Sequence, residues 1–214
     1  MFRLKQKPNI SSFAFETNSL ATYMLKFIGK LILKIAGYSI VDTTPKGVQK
    51  YQKAVMIAAP HTSNWDYVYT MSALYALDVP IKYLGKASLF KFPLGILIKK
   101  LGGIPVRRDQ KNNMVNDMAK MIVEATEQMI LIIPAEGTRS FSKEWKSGFY
   151  HIANTAKVPI ILGFLDFGKK QVGFIDEFIP TGNYEKDLIS IQKRYIGITP
   201  KHPELYSLKD VKFD

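Results

Sequence analysis

The chain has 214 residues, of which 47% are apolar, enough for one well-buried core but too few for two large domains with linkers. Thirty Lys and Arg against eighteen Asp and Glu leave a formal charge of +12, which predicts an anionic partner such as an acidic lipid surface or a nucleic acid. Cysteine is absent, which excludes disulfides and thiolate metal sites.

The first predicted element is a basic amphipathic helix within residues 20–40. Lys26, Lys30 and Lys34 recur every four residues and form one stripe beside a broad apolar face. Because a spanning helix would carry three ammonium groups toward hydrocarbon, we expect a helix that lies in the plane of an anionic membrane surface. The alternative is a helix that packs on the protein's own core and keeps its basic stripe in water.

This helix suggests a division of the chain into two parts. Residues 1–45 are expected to form the membrane-associating segment, and residues 46–214 the catalytic domain. The basic N-terminus lacks the apolar core and the cleavage site of a secretory signal, which argues against export. We therefore expect a peripheral protein on the cytoplasmic face of a membrane.

Strand and helix patterns alternate along the rest of the chain. Strands are predicted at 54–59, 81–84, 103–106, 129–133 and 158–162, with a weaker one at 171–175, and helices at 66–77, 92–101, 112–128, 145–157 and 184–195. This order predicts an α/β fold, a single-domain sandwich with a mainly parallel central sheet flanked by helices. In such sheets the polar loops beyond the strand ends form the ligand crevice.

His61 directly follows the first of these buried strands, and Asp66 lies five residues further on. In one continuous helix their side chains would point about 140° apart, so their pairing requires a turn between them. An aspartate that accepts from one imidazole nitrogen leaves the other nitrogen free to take a proton from a hydroxyl. The alternative is an aspartate that caps the next helix beside an uninvolved histidine.

A second polar loop, Glu136, Gly137, Thr138 and Arg139, follows the predicted strand at 129–133. A glycine in this position lets backbone N–H groups approach a ligand closely, and the arginine fork suits a phosphate. The alternative is an Arg–Glu surface pair that holds a turn.

The order of these motifs resembles the phospholipid/glycerol acyltransferase superfamily, the group that includes 1-acylglycerol-3-phosphate acyltransferases. His61 and Asp66 match its H-x-x-x-x-D, residues 103–108 its second block, residues 136–139 its E-G-T-R, and residues 158–161 its hydrophobic block with proline. The resemblance covers about residues 54–163.

The resemblance implies that His61 is the general base and Asp66 its orienting partner. Arg108 and the loop from Glu136 to Arg139 would handle the acceptor's phosphate and the reacting carbonyl. Acyl-CoA or acyl carrier protein would be the donor, a lysophospholipid the acceptor and a membrane surface the partner, with no metal, no cofactor and no nucleic acid. Backbone N–H groups near Gly137 are the expected donors to the oxyanion.

Two positions depart from the family pattern. Arg107 stands where an aspartate is usual before the motif arginine, and Leu162 stands where a second proline is common. Either departure could indicate an acceptor other than lysophosphatidate, such as another lysolipid or glycerol 3-phosphate. Arg107 and Arg108 together form either a second anion clamp or merely solvated charge.

Two other functions compete with acyl transfer. A thioester hydrolase would use His61 to activate water, but it would not require arginines for an anionic acceptor. A nucleic-acid-binding module would account for the +12 charge, but no RRM, KH or helix-turn-helix pattern is visible.

Overall fold

A computed structural model describes residues 20–106 and 113–211. The strands are β1 (Ser39–Asp42), β2 (Lys53–Ala59), β3 (Ile81–Lys86), β4 (Gly103–Val106), β5 (Met129–Pro134), β6 (Ile160–Asp166) and β7 (Gln171–Phe178). The helices are α1 (Leu20–Ala36), α2 (Asn64–Ala76), α3 (Leu94–Lys100), α4 (Met114–Glu124), α5 (Gly148–Ala156) and α6 (Tyr184–Lys193).

The strands form one seven-stranded sheet in the order β1-β7-β6-β2-β5-β3-β4. Every neighbouring pair is parallel except β6 and β7, which are antiparallel. The predicted α/β class with a mainly parallel sheet is confirmed, and each predicted strand and helix corresponds to an observed element, in most cases with shifted ends.

The strand β1 was not predicted, because its residues read as the end of the first helix. Gly37 adopts a φ of 76°, a left-handed conformation that glycine reaches without a steric penalty, and α1 ends there. The chain then pairs with β7 from Ser39 onward. Part of the 1–45 range therefore belongs to the sheet.

Both faces of the sheet are buried, which explains the uninterrupted apolar run of β2. Ala54 and Met56 face a core that α2 covers, whereas Val55 and Ile57 face a core formed with α4, α5 and α6. Successive residues of a strand point to opposite faces, so a strand covered on both sides must be apolar at every position.

The helix α1 packs on α2 through a narrow face that contains Gly29. A methyl group at that position would lie 2.5 Å from the Ser72 carbonyl oxygen, so only glycine allows this approach of the two backbones. Lys26 lies 3.5 Å from Asp78, whereas the other two stripe lysines have no salt bridge to a described residue.

The opposite face of α1 stays exposed and is apolar: Leu20, Tyr23, Met24, Phe27, Ile28, Leu31 and Ile35. The sequence left two alternatives for this helix, one that faces lipid and one that packs on the protein core. In the structure, α1 has both a packed face and an exposed apolar face. No helix in the described ranges has the length and hydropathy to cross a bilayer.

Candidate active site

The loops after β2 and β5 begin side by side, because these strands are parallel neighbours. Ala58 pairs with Pro134 in the sheet, so the chain leaves both strands at the same level. The loop with His61 therefore lies against the loop with Glu136. This is the edge at which parallel sheets place their ligand crevices.

The turn between His61 and Asp66 brings the two side chains together. The His61 Nδ1 atom lies 3.4 Å from Asp66 Oδ2, and both side chains are mostly buried. This distance exceeds that of a strong hydrogen bond, but catalytic bonds are often long until substrate is bound. Among the described residues no group hydrogen-bonds to the other ring nitrogen, Nε2.

Asp66 also takes part in the N-terminal capping box of α2, in which Ser63 is the N-cap residue. Its Oδ2 atom accepts hydrogen bonds from the backbone N–H groups of Thr62 and Ser63, each at 2.7 Å. The Ser63 hydroxyl oxygen in turn accepts from Trp65 N at 3.1 Å and from the backbone N–H of Asp66, and the latter bond completes the capping box. The capping role and the partnership with His61, which the sequence presented as alternatives, thus occur together in one carboxylate.

Glu136 fixes the backbone of His61 rather than facing solvent. It is only 2% exposed, and its Oε2 accepts from His61 N at 2.7 Å. Its Oε1 accepts from Ser207 N at 3.1 Å and from the Ser207 hydroxyl at 2.7 Å. Both carboxylate oxygens are thus used inside the protein, which favours a positioning role over the predicted contact with the acceptor.

The C-terminal segment around Ser207 forms hydrogen bonds with both loops of this site. Trp145 donates its indole N–H to the Ser207 hydroxyl oxygen at 2.8 Å, and His202 N donates to the Thr62 hydroxyl oxygen at 3.2 Å. These contacts could not be predicted from the sequence, because no local pattern links a serine at 207 to a glutamate 71 positions earlier.

The rest of the second loop is a tight turn. Gly137 has a φ of 71° and donates its N–H to the Pro134 carbonyl at 3.1 Å. The Thr138 hydroxyl accepts from Ser140 N at 3.2 Å. The Gly137 N–H is already engaged, so the expectation of an oxyanion donor near Gly137 stays a prediction that concerns the neighbouring groups. The substrate-binding roles of Gly137 and Thr138 stay predictions.

An apolar cavity of about 540 Å³ opens beside His61 and runs between α2 and the sheet. Its inner wall is formed by aliphatic and aromatic side chains, among them Met56, Leu74, Ile132 and Phe174. Such a space can bury a long hydrocarbon chain next to the imidazole.

Two cations line this cavity together with His61 and Asp66. They are Arg139, whose contact with a phosphate stays a prediction, and Lys86 at the end of β3. The signal that could have found Lys86 is its position at a strand end on the same sheet edge. Arg107 and Arg108, the other two predicted cations, lie outside the described residues.

Two tyrosines on the same cavity form a hydrogen-bonded pair. The Tyr67 and Tyr83 hydroxyls are 3.3 Å apart. Burial raises the pKa of Tyr83 above its ordinary value, and the hydrogen bond with Tyr67 raises it further. Tyr83 therefore stays protonated at neutral pH and can donate a hydrogen bond.

Comparisons with known proteins found a matching family and a similar fold. The sequence model of a family described as Acyltransferase matches residues 39–161, a range that contains both polar loops. The fold is similar to the crystal structure of the 1-acyl-sn-glycerophosphate (LPA) acyltransferase PlsC from Thermotoga maritima, with a TM-score of 0.54 and 15% identity. That similarity covers 80% of this chain and 77% of the other. No curated protein sequence matches the chain.

Proposed function

The chain belongs to the acyltransferase family, and on that basis we propose that it transfers a fatty acyl group from an acyl thioester to a hydroxyl of a lysophospholipid. The proposed acceptor is 1-acylglycerol-3-phosphate, which would place the reaction in phospholipid biosynthesis. Acceptors with another headgroup, or glycerol 3-phosphate, are the alternatives. The observation that carries the proposal is the approach of His61 to Asp66 beside an apolar cavity with cations at its rim.

In the proposed reaction, His61 Nε2 takes the proton of the acceptor hydroxyl as its oxygen attacks the thioester carbonyl. Asp66 stabilises the imidazolium through Nδ1. The tetrahedral intermediate then expels the thiolate, which takes the proton back from His61, so the products are an ester and a free thiol. No acyl-enzyme, metal or cofactor takes part.

The two substrates suit different parts of the site. The cavity beneath α2 would hold the acyl chain of the donor, which places the thioester carbonyl next to His61. Arg139 and Lys86 would bind the phosphate of the acceptor, with Arg108 as a further expected contact. The donor carrier is either coenzyme A or acyl carrier protein.

Acyl transfer and thioester hydrolysis can be distinguished in one assay, because only transfer needs an acceptor for the release of thiol. Purified protein is incubated with a labelled acyl thioester and a panel of glycerol 3-phosphate, lysophosphatidate, and zwitterionic and amino-acid lysolipids. We expect an acylated product with at least one phosphate-bearing acceptor. Thiol release that is equally fast without any acceptor would identify a thioester hydrolase instead.

His61→Ala tests the assignment of the base. We expect the rate of transfer to fall by about 10²–10⁴-fold, the usual contribution of a general base, while the circular dichroism spectrum stays unchanged. Transfer at more than a tenth of the wild-type rate would remove His61 from the mechanism.

We further propose that α1 lies on an anionic membrane, because its exposed apolar face has Lys30 and Lys34 along one edge. Lys30→Glu with Lys34→Glu should weaken sedimentation with phosphatidylglycerol vesicles. Lys26→Glu is a poor test, because Lys26 lies next to Asp78. Unchanged sedimentation of the double variant would argue against a lipid contact of α1.

A further inference from the structure

The chain between β3 and β4 carries a cluster of exposed apolar side chains. We call residues 86–101 the mouth segment. Phe92 is 85% exposed, and four further large apolar side chains of the segment are about half exposed: Leu89, Leu94, Ile96 and Leu97. Contiguous exposed apolar surface of this kind marks contact with a partner or a membrane.

The exposure does not come from loose packing, since the inner side of the mouth segment fits closely against the sheet. A methyl group on Gly85 would lie 2.8 Å from the Phe90 ring, and one on Gly103 would lie 2.6 Å from the Ile98 side chain. Phe90 and Ile98 thus anchor the segment, and the remaining apolar side chains are held on its outer side.

The charge of this region is entirely positive. Residues 79–106 contain no Asp or Glu, and the mouth segment exposes Lys86, Lys91, Lys99 and Lys100. On an anionic lipid surface the ammonium groups meet phosphates while apolar side chains enter the headgroup boundary. A nucleic acid would match the charge but would leave the exposed apolar side chains without a partner.

The mouth segment is also the rim of the cavity. Leu89, Leu94 and Ile98 line the same space that reaches His61. We propose that the mouth segment is a lipid-docking surface separate from α1, and that it seats the rim of the cavity on an anionic bilayer. Acyl chains would then pass between bilayer and cavity without crossing water.

The position of the mouth segment in the fold supports a lipid-docking role. The chain moves in one direction along the sheet from β2 to β3 to β4, and right-handed crossovers place α2 and α3 on the same face. Since α1 packs on α2, both exposed apolar surfaces lie on that face. The docking itself does not depend on the reaction, whereas the passage of acyl chains rests on the proposed function.

The absence of cysteine allows a direct test with single labels on the full chain. Phe92→Cys and Leu97→Cys carry a polarity-sensitive fluorophore, and Val123→Cys and Ile189→Cys, also exposed apolar positions, serve as matched controls on α4 and α6. With phosphatidylglycerol vesicles we expect a blue shift, and quenching by lipid-borne quenchers, at the first two positions only. Labels at 92 and 97 that respond like those at 123 and 189 would overturn the proposal.

A second experiment measures affinity. We expect Phe92→Glu with Leu97→Glu to lower partitioning into phosphatidylglycerol vesicles by about ten- to a hundredfold, and Val123→Glu with Ile189→Glu to leave it unchanged. Equal binding of the wild-type chain to phosphatidylcholine vesicles at low salt would overturn the assignment of an anionic surface. Circular dichroism checks that each variant is folded.

The His61→Ala variant keeps this proposal distinct from the proposed function. The variant should insert its mouth segment like the wild-type chain although it lacks the base. Wild-type insertion without acyl transfer to any acceptor would overturn the proposed function and leave the docking surface in place. Acyl transfer with no insertion at 92 and 97 would overturn the docking surface alone.

Discussion

One oxygen atom of Asp66 has two roles, since it binds backbone N–H groups at the start of α2 and also faces the His61 ring. Its Oδ2 accepts from Thr62 N and Ser63 N, and the same atom faces His61 Nδ1 at 3.4 Å. The backbone bonds hold the carboxylate against the start of α2, so the imidazole meets a partner that is already fixed. Preorganisation of this kind spares the site a reorganisation during the reaction.

Asp66→Asn separates the two tasks. An amide oxygen can still accept from both backbone N–H groups, but it lacks the charge that stabilises an imidazolium. We expect the stability in urea to change by less than about 1 kcal/mol while kcat falls by at least about a hundredfold. Asp66→Ala, which removes the cap as well, is the control and should lower both. Near-normal kcat in Asp66→Asn would limit Asp66 to capping.

Glu136→Gln tests the inferred positioning role. The glutamine amide must turn its NH₂ group toward either His61 N or Ser207 N, both of which are donors, so one buried donor loses its acceptor. We expect a loss of about 1–3 kcal/mol in the free energy of unfolding, together with a lower kcat. Urea denaturation and steady-state assays measure the two effects.

The matched control for that change is Ser207→Ala. It removes the hydroxyl bond to Glu136 and the acceptor of the Trp145 indole N–H, and it leaves the backbone bond of Ser207 in place. We expect a comparable loss of about 1–3 kcal/mol, because the buried Trp145 N–H loses its acceptor, but no comparable fall in kcat, because Glu136 still accepts from His61 N. A Glu136→Gln variant with wild-type stability, but a raised KM for a phosphate-bearing acceptor, would restore the substrate-binding role predicted from the sequence.

The close contact between α1 and α2 requires a glycine at position 29. Gly29 lets α1 approach the Ser72 carbonyl, and the helix can then present its apolar side outward while it stays attached to the domain. An amphipathic helix that is fixed in this way keeps a constant orientation relative to the cavity beneath α2.

Gly29→Ala should destabilise α1, although alanine normally favours a helix over glycine. The added methyl group would lie 2.5 Å from a backbone oxygen, so the helix must move, at a cost of about 1–3 kcal/mol. Gly148→Ala in α5 is the matched control, since nothing lies within 4 Å of its methyl position, and it should be neutral or stabilising. Faster amide exchange along α1 in the first variant alone is the expected result, and equal exchange in both would contradict it.

At the scale of the whole molecule, charge, apolar surface and cavity share one side of the sheet. The +12 charge includes the lysines of α1 and of the mouth segment, and both groups adjoin exposed apolar side chains. The cavity lies between α2 and the sheet on this same side. A lipid substrate would therefore meet the two proposed docking surfaces and the site together.

The cavity should set the preferred acyl length. Thr70 of α2 lines it, and Thr70→Phe would occupy part of its volume. We expect the ratio of kcat/KM for long over short acyl thioesters to fall by about tenfold. Val123→Phe, on α4 at an exposed position, is the control and should leave the ratio unchanged. An unaltered ratio in Thr70→Phe would place the acyl chain elsewhere.

The sequence by itself determined the alternation of strands and helices, the loops with His61 and Glu136, and the amphipathic nature of α1. These features follow from local periodicity and from residue spacing within one segment. The sequence did not predict β1, because four residues directly after a helix carry too little periodicity to indicate a strand.

Only the tertiary structure decided which of these residues meet. The bond from Ser207 to Glu136, the contact of Lys26 with Asp78, and the placement of Lys86 on the same cavity as His61 all join segments far apart in the chain. Such contacts depend on strand order and register, which are set by the burial of two sheet faces at once and not by any local pattern. The same packing fixed which side of α1 and of the mouth segment faces outward.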